Sequence, residues 1–316
     1  MKREYGLGQI ENDPRSLVTV GTFDGVHHGH QSIIQYLVDR AKRKSGSSVA
    51  VSFDPHPRQV VTGTPVPLLT TIQERAEIFS ELGLDRFIVI PFTRAFADTS
   101  AQSFVEDVLV KRIGLQEIVI GYDHGFGKGR QGDSDLLQNL GKQYNFSVDI
   151  IPAQILEQGV VSSTRIRELL TKEGDVAVAG KLLNRRYSLI GKVVHGDGRG
   201  RQIGYPTANV LVANPNKVIP KRGVYAVRVR KVGIAGSYDA MMNIGLRPTF
   251  SDGQNVVDLR LEVHIFDFSE DLYDQELQIE FVQRIRPEEK FNSIEALIKQ
   301  LSKDEVRCRA ELKSLT

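Results

Sequence analysis

The period of the hydrophobic pattern changes near Tyr187, and no other feature of the sequence constrains the fold as strongly. Before this point, short apolar runs alternate with segments whose apolar residues recur at helical spacing. After it, apolar and polar residues alternate one by one along extended stretches. A chain of 316 residues is roughly twice the length of a typical domain. The two patterns therefore predict two domains with separate cores, which we expect to span residues 1–182 and 183–316.

The first half alternates strand-like and helix-like segments. Thr71 and Glu74 fit a capping box, which predicts a helix that carries Ile72, Ala76 and Phe79 on its apolar face. The candidate buried strands are apolar runs at 17–20, 49–53, 87–90 and 118–120. Strand and helix alternation of this kind predicts an α/β fold built on a doubly wound parallel sheet.

The second half follows a period of two. In residues 257–265 every odd-numbered residue is apolar and every even-numbered residue is polar, as in a half-buried antiparallel strand. Residues 225–230 and 277–281 repeat this alternation. Apolar residues at helical spacing then predict a closing helix with Ile294, Leu297, Ile298 and Leu301 on one face. We expect a small antiparallel β-barrel with a C-terminal helix.

Composition excludes several classes of function. The formal net charge is +2, and the 41 Lys and Arg residues form no basic block, so no nucleic-acid partner is expected. The amino-terminal residues lack a signal-peptide apolar core, and no apolar run is long enough to span a bilayer. A single cysteine, Cys308, cannot form an intramolecular disulfide. We therefore expect a cytoplasmic protein without a membrane partner, and a homo-oligomer is compatible with the sequence.

Residues 21–30, between the first predicted strand and helix, carry the densest chemistry. Ligands bind at the carboxyl ends of strands in open α/β sheets, and a helix N-terminus offers free amides to phosphate. Gly21 and Gly29 permit close approach to the backbone, and His27 and His30 can donate hydrogen bonds to phosphoryl oxygens. A histidine metal site and a turn with incidental histidines are the alternatives.

Three further segments of the first half contain candidate site residues. The loops at 53–57 and 121–130 are rich in Gly, Pro and His, and a surface loop is the alternative for each. In residues 162–167, Ser162 or Ser163 can cap a helix on which Arg167 projects a bidentate phosphate ligand. An ordinary capped helix explains the same residues.

In the second half, residues 196–209 are dense in glycine and arginine. Glycine amides at Gly198 and Gly200 can curl around phosphates, which Arg199 or Arg201 can neutralise. Thr207 and Asn209 are two residues apart, so on an extended segment their oxygens face one side and can share a hard cation. An exposed basic turn is the alternative. Glu262 lies on the polar face of its predicted strand.

The motifs of the first half resemble those of a known superfamily. Residues 27–30 are similar to the His-x-Gly-His signature of nucleotidylyltransferases, which implies a Rossmann-like domain, and residues 23–26 resemble their flavin branch, the prokaryotic FAD synthetases. Residues 162–167 match the second superfamily element, Ser-Ser-Thr-x-x-Arg. The resemblance implies catalytic roles for His27 and His30. It implies ATP or phosphate contacts at Gly21, Phe23, Asp24, Gly29, Ser163, Thr164 and Arg167, and flavin contacts at Phe53, Pro55, His56, Pro57 and Asp123.

The motifs of the second half resemble riboflavin kinases, a family of six-stranded barrels. The segment at 204–209 is similar to their Gly-x-Pro-Thr-Ala-Asn signature, and residues 243–250 and 261–268 resemble two more family segments. The resemblance implies that Thr207 and Asn209 bind magnesium and phosphate and that Glu262 is the general base. It implies phosphate contacts at Gly198, Arg199 and Gly200. Asp274 stands where glycine is usual, and Asp tolerates turn conformations.

Both resemblances together imply a bifunctional enzyme. The barrel would phosphorylate riboflavin to FMN, and the α/β domain would join FMN to the AMP of ATP, giving FAD and pyrophosphate. ATP is then the co-substrate and Mg²⁺ the cofactor, with riboflavin, FMN and FAD as the other partners. Two alternatives stay open: a nucleotidyltransferase for another substrate with an appended barrel, and a flavin or nucleotide sensor without catalytic activity.

Overall fold

A computed structural model describes residues 1–121, 126–127, 132–151, 155–156, 159–196, 198–251 and 254–313. Within these ranges, side chains are not described at 155–156, 159–160, 199, 247–251 and 254–258. The chain divides into two compact units, Met1–Ser163 and Thr164–Thr316. Each unit therefore has its own core, and the two are described separately below.

The first unit is built on a six-stranded sheet in the order β1-β4-β3-β2-β5-β6. Every pairing in it is parallel. Its strands are β1 (Lys2–Tyr5), β2 (Ser16–Val20), β3 (Ser47–Asp54), β4 (Arg86–Pro91), β5 (Leu115–Gly121) and β6 (Ser147–Ile151). A separate two-stranded pair is formed by β7 (Ile155–Leu156) and β8 (Gly159–Val160).

Helices cover both faces of this sheet, which confirms the doubly wound prediction. They are a 3₁₀ turn (Leu7–Gln9), α1 (His28–Arg43), α2 (Pro57–Thr62), α3 (Ile72–Glu81), α4 (Arg94–Ala97), α5 (Ala101–Ser103), a π-helix (Phe104–Ile113) and α6 (Ser134–Tyr144). Val18 and Val20 of β2 pack with the π-helix and α6, whereas Leu17 packs with α1 and α3. The alternation of side chains along one strand thus supplies two separate core layers. The predicted capping box of Thr71 and Glu74 is present at the start of α3.

The second unit contains a closed barrel in the order β10-β13-β12-β11-β14-β9. Its strands are β9 (Ser188–Val194), β10 (Ala208–Leu211), β11 (Gly223–Lys231), β12 (Tyr238–Ser251), β13 (Gln254–Ile265) and β14 (Glu276–Arg286). All pairings are antiparallel. The six-stranded antiparallel barrel and its alternating pattern are confirmed.

The remaining helices of this unit are α7 (Ser163–Glu168), a π-helical turn (Leu169–Glu173), α8 (Val176–Leu183), α9 (Arg199–Gln202) and α10 (Ile294–Lys313). Helix α10 covers one outer face of the barrel, where Cys308 and Leu312 pack with Val224 and Met241. The apolar face predicted for α10 is wrong at its start, because Ile294 is 60% exposed. The face that is buried runs through Asp304, Cys308 and Leu312, later in the helix.

The segment between the two sequence patterns is also helical. The sequence suggests a polar connection over 174–186, but α8 occupies most of it and packs against β14. Leu182 and Leu183 of α8 are buried. The backbone amide of Lys221 donates to Leu170 O at 2.8 Å, so the preceding π-helical turn is also tied to the barrel unit. An apolar helix therefore stands where composition indicates a connecting segment.

Candidate active sites

The loop that joins β2 to α1 has a strained backbone. Phe23 has a φ of 48° and Val26 a φ of 38°, while Gly25 between them has a φ of 85°. Positive φ is costly for a residue with a side chain, most of all for a β-branched one such as Val26. Backbone strain of this kind persists only where the surrounding structure over-determines it, and it is concentrated at functional sites.

Hydrogen bonds from residues 69–75 hold this loop. The carboxylate of Asp24 is buried and accepts from the amides of Leu69 at 3.0 Å and Thr70 at 2.9 Å. Thr70 Oγ1 accepts from the amide of Gly25 at 2.8 Å. Arg75 donates from one terminal nitrogen to the Thr22 carbonyl at 2.7 Å. The loop is therefore fixed at three positions, Thr22, Asp24 and Gly25, before α1 begins.

The two signature histidines lie at the N-terminus of α1. His27 is the residue before the helix and His30 lies in its first turn. Their rings stack with a centroid distance of 3.7 Å and an interplanar angle of 19°. Phe23 contacts His30 edge-on at 5.3 Å. A Cβ at Gly21 would lie 3.0 Å from the Phe23 ring, so only glycine fits there without displacing that ring.

The helix N-terminus and both imidazoles thus face one region, at the carboxyl edge of the sheet. Amides of a first helical turn and imidazole N–H groups are donors that suit phosphate oxygens. Gly29 lies against the His27 ring, since a Cβ there would be 3.4 Å from two of its atoms. In the described part of the chain, no group of three or more His, Cys, Asp or Glu side chains is arranged to hold a metal ion.

The flavin-side residues follow β3. Phe53 contacts the rings of Phe92, Phe96 and Phe104 at centroid distances of 5.4, 6.2 and 6.3 Å. The Asp54–Pro55 peptide bond is cis. His56 caps α2 by accepting from the amide of Arg58, and Pro57 is the first residue of that helix. This places an aromatic cluster beside a tight turn.

Four further residues are expected at the first site: Asp123, Ser163, Thr164 and Arg167. Asp123 lies outside the described residues. Ser163 Oγ donates to Asp24 O at 2.8 Å, which ties Ser163 to the strained loop. Thr164 is exposed and Arg167 half-buried on the same helix, α7. Both belong to the second compact unit, so only Ser163 is described within the first site.

In the barrel, strand register brings the predicted kinase residues together. Asn209 of β10 is the direct partner of Glu262 on β13, and Asn243 of β12 is its partner on the other side. Directly opposed residues of antiparallel strands project from the same face, with Cβ atoms about 4.5–5.5 Å apart. Among the described residues, no side chain forms an ion pair with Glu262, so no cationic side chain competes for its carboxylate oxygens.

The glycine-rich loop lies against the same residues. A Cβ at Gly196 would be 2.0 Å from Asn209 Nδ2, and one at Gly200 would be 3.3 Å from Thr207 Oγ1. Gly198 has a φ of 68°, in the left-handed region that glycine adopts without strain. The side chain of Arg199 is not described. The predicted loop therefore reaches both predicted cation ligands.

A cavity of about 520 Å³ opens beside Thr207. Its wall combines inward-facing residues of β13 with the segment that follows this strand. The residues that line it are Val193, Arg201, Pro206, Thr207, Ala208, Val263, Ile265, Phe268, Ser269, Glu270, Asp271, Leu272 and Tyr273. His264 Nδ1 donates to Pro206 O at 2.7 Å, which ties the Thr207 segment to β13. Asp274, just beyond the cavity, has a φ of 64°, as its turn position suggests.

Sequence reasoning missed several residues of these sites. Thr70 and Arg75 contact the loop from about fifty positions away in the chain, and Asn243 flanks Glu262 only through barrel register. The capping box at Thr71 was the one signal near Thr70 and Arg75, because it places the start of α3 beside them.

No helix in the described part of the chain is long and apolar enough to cross a membrane.

Comparison with known families matches both halves. The family model for FAD synthetase matches residues 9–165, and the model for riboflavin kinase matches residues 183–312. The structure and these matches define a two-part transferase, with a nucleotidylyltransferase-type α/β unit and a riboflavin kinase barrel.

Curated relatives cover nearly the whole chain. A bifunctional riboflavin kinase/FMN adenylyltransferase from Listeria monocytogenes is 40% identical over 302 residues, covering 94% of this chain and 93% of the relative. The protein of the same description from Escherichia coli K12 is 36% identical over 314 residues, covering 98% and 97%. The chain belongs to the bifunctional riboflavin kinase/FMN adenylyltransferase family.

One solved structure matches both units. A crystal structure described as a macrolide-efflux protein from Streptococcus pneumoniae has a TM-score of 0.87 and 32% sequence identity, covering 98% of this chain and 99% of that one. That description differs from those of the curated relatives, which are more similar in sequence and agree with both family models.

Proposed function

We propose that the α/β part of the chain carries FMN adenylylation and the barrel part carries riboflavin phosphorylation, and that the site residues described above carry out the chemistry. The kinase assignment depends on one observation above all: Asn209 and Glu262 are direct cross-strand partners, with Thr207 beside them at the glycine-rich loop. Riboflavin, FMN, FAD and ATP fit the two activities of the family as substrates and products.

In the kinase reaction, Glu262 takes the proton of the riboflavin 5′-hydroxyl. The hydroxyl oxygen then forms a bond to the γ-phosphorus of ATP, and ADP leaves. A general base must lie within hydrogen-bond reach of the proton it removes, and its carboxylate must be free to accept it. The absence of an ion pair on Glu262 among the described residues supports this role. Gly198 and Gly200 supply backbone amides to the phosphates, with Arg199 as a neutralising charge.

Thr207 and Asn209 suit a magnesium ion. A hydroxyl and an amide oxygen are hard oxygen donors, which Mg²⁺ prefers, and it binds through few protein ligands together with substrate phosphates. Gly196 and Gly200 leave space against these side chains that a Cβ would fill. A bound Mg²⁺ would neutralise phosphate charge during transfer.

In the adenylyltransferase reaction, a phosphate oxygen of FMN attacks the α-phosphorus of ATP and pyrophosphate leaves. The reaction needs no covalent enzyme intermediate, so positioning and stabilisation of developing charge suffice. His27 and His30 donate hydrogen bonds to the phosphates, together with the first amides of α1. Gly21, Phe23 and Gly29 shape this surface, and Ser163, Thr164 and Arg167 add phosphate contacts.

Asp24 and the flavin-side residues have different roles in this proposal. The Asp24 carboxylate is only 1% exposed and accepts from two backbone amides, which supports a role as an anchor of the loop. The isoalloxazine ring contacts the segment from Phe53 to Pro57, with Pro55 and His56 at the turn, and Asp123. We also propose a boundary between the activities at 182/183, and a cytoplasmic location.

Incubation of the full chain with riboflavin, ATP and MgCl₂, followed by chromatography of the flavins, tests the proposal. We expect FMN to appear first and FAD to follow. A parallel reaction with EDTA should yield neither product. Recovery of riboflavin alone in the presence of Mg²⁺ would contradict the proposal and favour a sensor.

A further inference from the structure

The segment 69–75 connects the strained loop to the body of the first unit. It receives the Asp24 carboxylate on two backbone amides and donates to the Thr22 carbonyl through Arg75. Thr22 immediately precedes Phe23, the first residue with positive φ. The conformation that directs His27 and His30 to one region is therefore maintained from outside the loop.

Arg75 is the cationic member of this segment, and it is only 3% exposed. One terminal nitrogen donates to Thr22 O at 2.7 Å and to Ser52 Oγ at 3.0 Å. Ser52 Oγ also donates to Thr22 O at 3.2 Å. The three groups form a closed triangle that joins α3, β3 and the loop.

This environment is unusual for a buried arginine. No described carboxylate forms an ion pair with Arg75, and among the described residues its Nε has no hydrogen-bond partner. Burial lowers the pKa of Arg75, while the charges of Asp24, Asp54 and Glu74 act in the opposite direction. A buried charge without an ion pair costs free energy. A hydrogen bond to a carbonyl does not require a charged donor for stability alone.

Arg86 offers a contrast within the same unit. It is also buried, but it is paired with Glu4 through Nε at 3.0 Å and a terminal nitrogen at 3.1 Å. Glu4 lies on β1, next to β4 in the sheet, and it does not belong to the loop. Arg86 therefore has the contacts of a structural arginine, which Arg75 lacks.

We propose that Arg75 is a positioning residue for FMN adenylylation. It holds the Thr22 carbonyl so that the loop keeps the backbone turn that presents His27, His30 and the amides of α1 to the reacting phosphates. The inference rests on the proposed function of this site. Displacement of a catalytic group by about 1 Å can cost about 10²-fold in rate. The contribution of Arg75 is therefore expected in kcat.

The test compares Arg75→Met, Arg75→Lys and Arg86→Met in the full chain. For each variant, kcat and KM for ATP are measured for the FMN-to-FAD step, together with riboflavin phosphorylation and the midpoint of thermal unfolding. Arg75→Met should lower adenylylation kcat about 10²-fold and change KM by less than about threefold. Arg75→Lys should recover about tenfold of that loss, because an ammonium can still donate to Thr22 O.

The kinase activity of the barrel is the internal control. Riboflavin phosphorylation should stay within about twofold in all three variants, since none of the substitutions lies in the second unit. Arg86→Met should lower the unfolding midpoint and leave adenylylation kcat within about threefold, because its role is structural.

Three outcomes would overturn the proposal. Adenylylation kcat of Arg75→Met within threefold of wild type is the first. Equal losses of adenylylation in Arg75→Met and Arg86→Met would show a general structural effect. If Arg75→Met does not fold, a threefold or smaller loss in Arg75→Lys would be decisive against it. His30→Ala distinguishes a failure of the proposed site from a failure of the role of Arg75. Full adenylylation activity in His30→Ala contradicts the proposed site. Loss of adenylylation in His30→Ala, together with normal activity in the Arg75 variants, contradicts only the role of Arg75.

Discussion

The two phosphate-handling loops are glycine-rich, but they are held in different ways. The loop before α1 keeps positive φ at Phe23 and Val26 and is fixed by its own buried Asp24, which accepts from the Leu69 amide, and by the buried Arg75 of α3. The loop before β10 has positive φ at Gly198 and lies close to Thr207 and Asn209 because Gly196 and Gly200 lack a Cβ. The first depends on side-chain hydrogen bonds between the loop and residues 69–75, and the second on strand register and missing side chains.

This difference has a consequence for substitutions. Changes far from the first loop should affect adenylylation, whereas the barrel site should respond chiefly to changes within the loop and its strands. The two activities can be measured on one sample, so each serves as the folding control of the other.

The largest effect is expected for Glu262→Gln. Loss of a general base costs about 10²–10⁴-fold, and we expect that loss in FMN formation while conversion of supplied FMN to FAD is retained. Steady-state assays of both steps measure it. Glu276→Gln, an exposed substitution on β14 in the same unit, should leave both rates within about twofold. Equal loss of both activities in Glu262→Gln would show that the two sites are not independent.

His30→Ala should produce the reverse pattern, so that riboflavin and ATP yield FMN that accumulates. Removal of one donor to developing charge costs roughly 10²–10³-fold in kcat. The matched control is His28→Ala, which removes the neighbouring imidazole that the signature leaves variable, and it should retain adenylylation within about tenfold. Unchanged FAD synthesis in His30→Ala would remove this histidine from the site.

Two fragments test how much of the chain the barrel needs. A fragment of residues 164–316 keeps α8, whereas one of residues 185–316 removes it and exposes the surface of β14 that α8 covers. We expect both to form FMN, with a thermal midpoint at least about 10 °C lower for the shorter one, because buried Leu182 and Leu183 are lost. Equal midpoints in calorimetry would show that α8 adds nothing to the barrel.

The smallest effect is expected at the opposite edge of the sheet, where Arg40 and Lys44 of α1 pair with the buried Glu117. Burial raises the pKa of Glu117, but these two cations outweigh it and hold the pKa below its usual value of 4.5. Glu117→Gln should lower the free energy of unfolding by about 1 to 2 kcal/mol at pH 7, because two cations lose their partner but remain partly exposed to water.

The lowered pKa of Glu117 determines how the stability difference between wild type and Glu117→Gln changes with pH. A depressed folded-state pKa stabilises the wild type above the unfolded pKa, and that stabilisation is lost as the pH falls through the lower folded value. Denaturant titrations should therefore show the difference at pH 7 and a smaller one below pH 4.5. Asp107→Asn, in an exposed pair with Lys111, should change stability by less than about 1 kcal/mol at either pH.

Much of the fold could be predicted because period and burial agree. Residues 257–265 alternate without exception, and the strand they form pairs in register with β12. Strand β1 was missed because its buried residue is Glu4, whose charge is compensated by Arg86 of β4, a neighbouring strand that lies about eighty residues away along the chain. When the buried residue of a strand is polar and is compensated by a tertiary ion pair, the sequence shows no apolar pattern that would indicate the strand.

Some residues of the sites could likewise be predicted from the sequence, and others could not. His27, His30, Thr207, Asn209 and Glu262 could be named because short motifs carry them. Arg75 could not, since an arginine in the first turns of a helix is ordinarily exposed, and only the folded sheet places it under Thr22. Motifs record the groups that face a ligand, whereas the residues that support them are found only through tertiary contacts.

Cys308, on the buried face of α10, can report local opening of the structure. Burial raises the pKa of this thiol to about 12, so it has almost no thiolate at neutral pH and no access to reagent in the closed state. It is also the only cysteine of the protein. Alkylation under native conditions therefore requires α10 to detach locally from the barrel. The alkylation rate reports how often this opening occurs, without any added label.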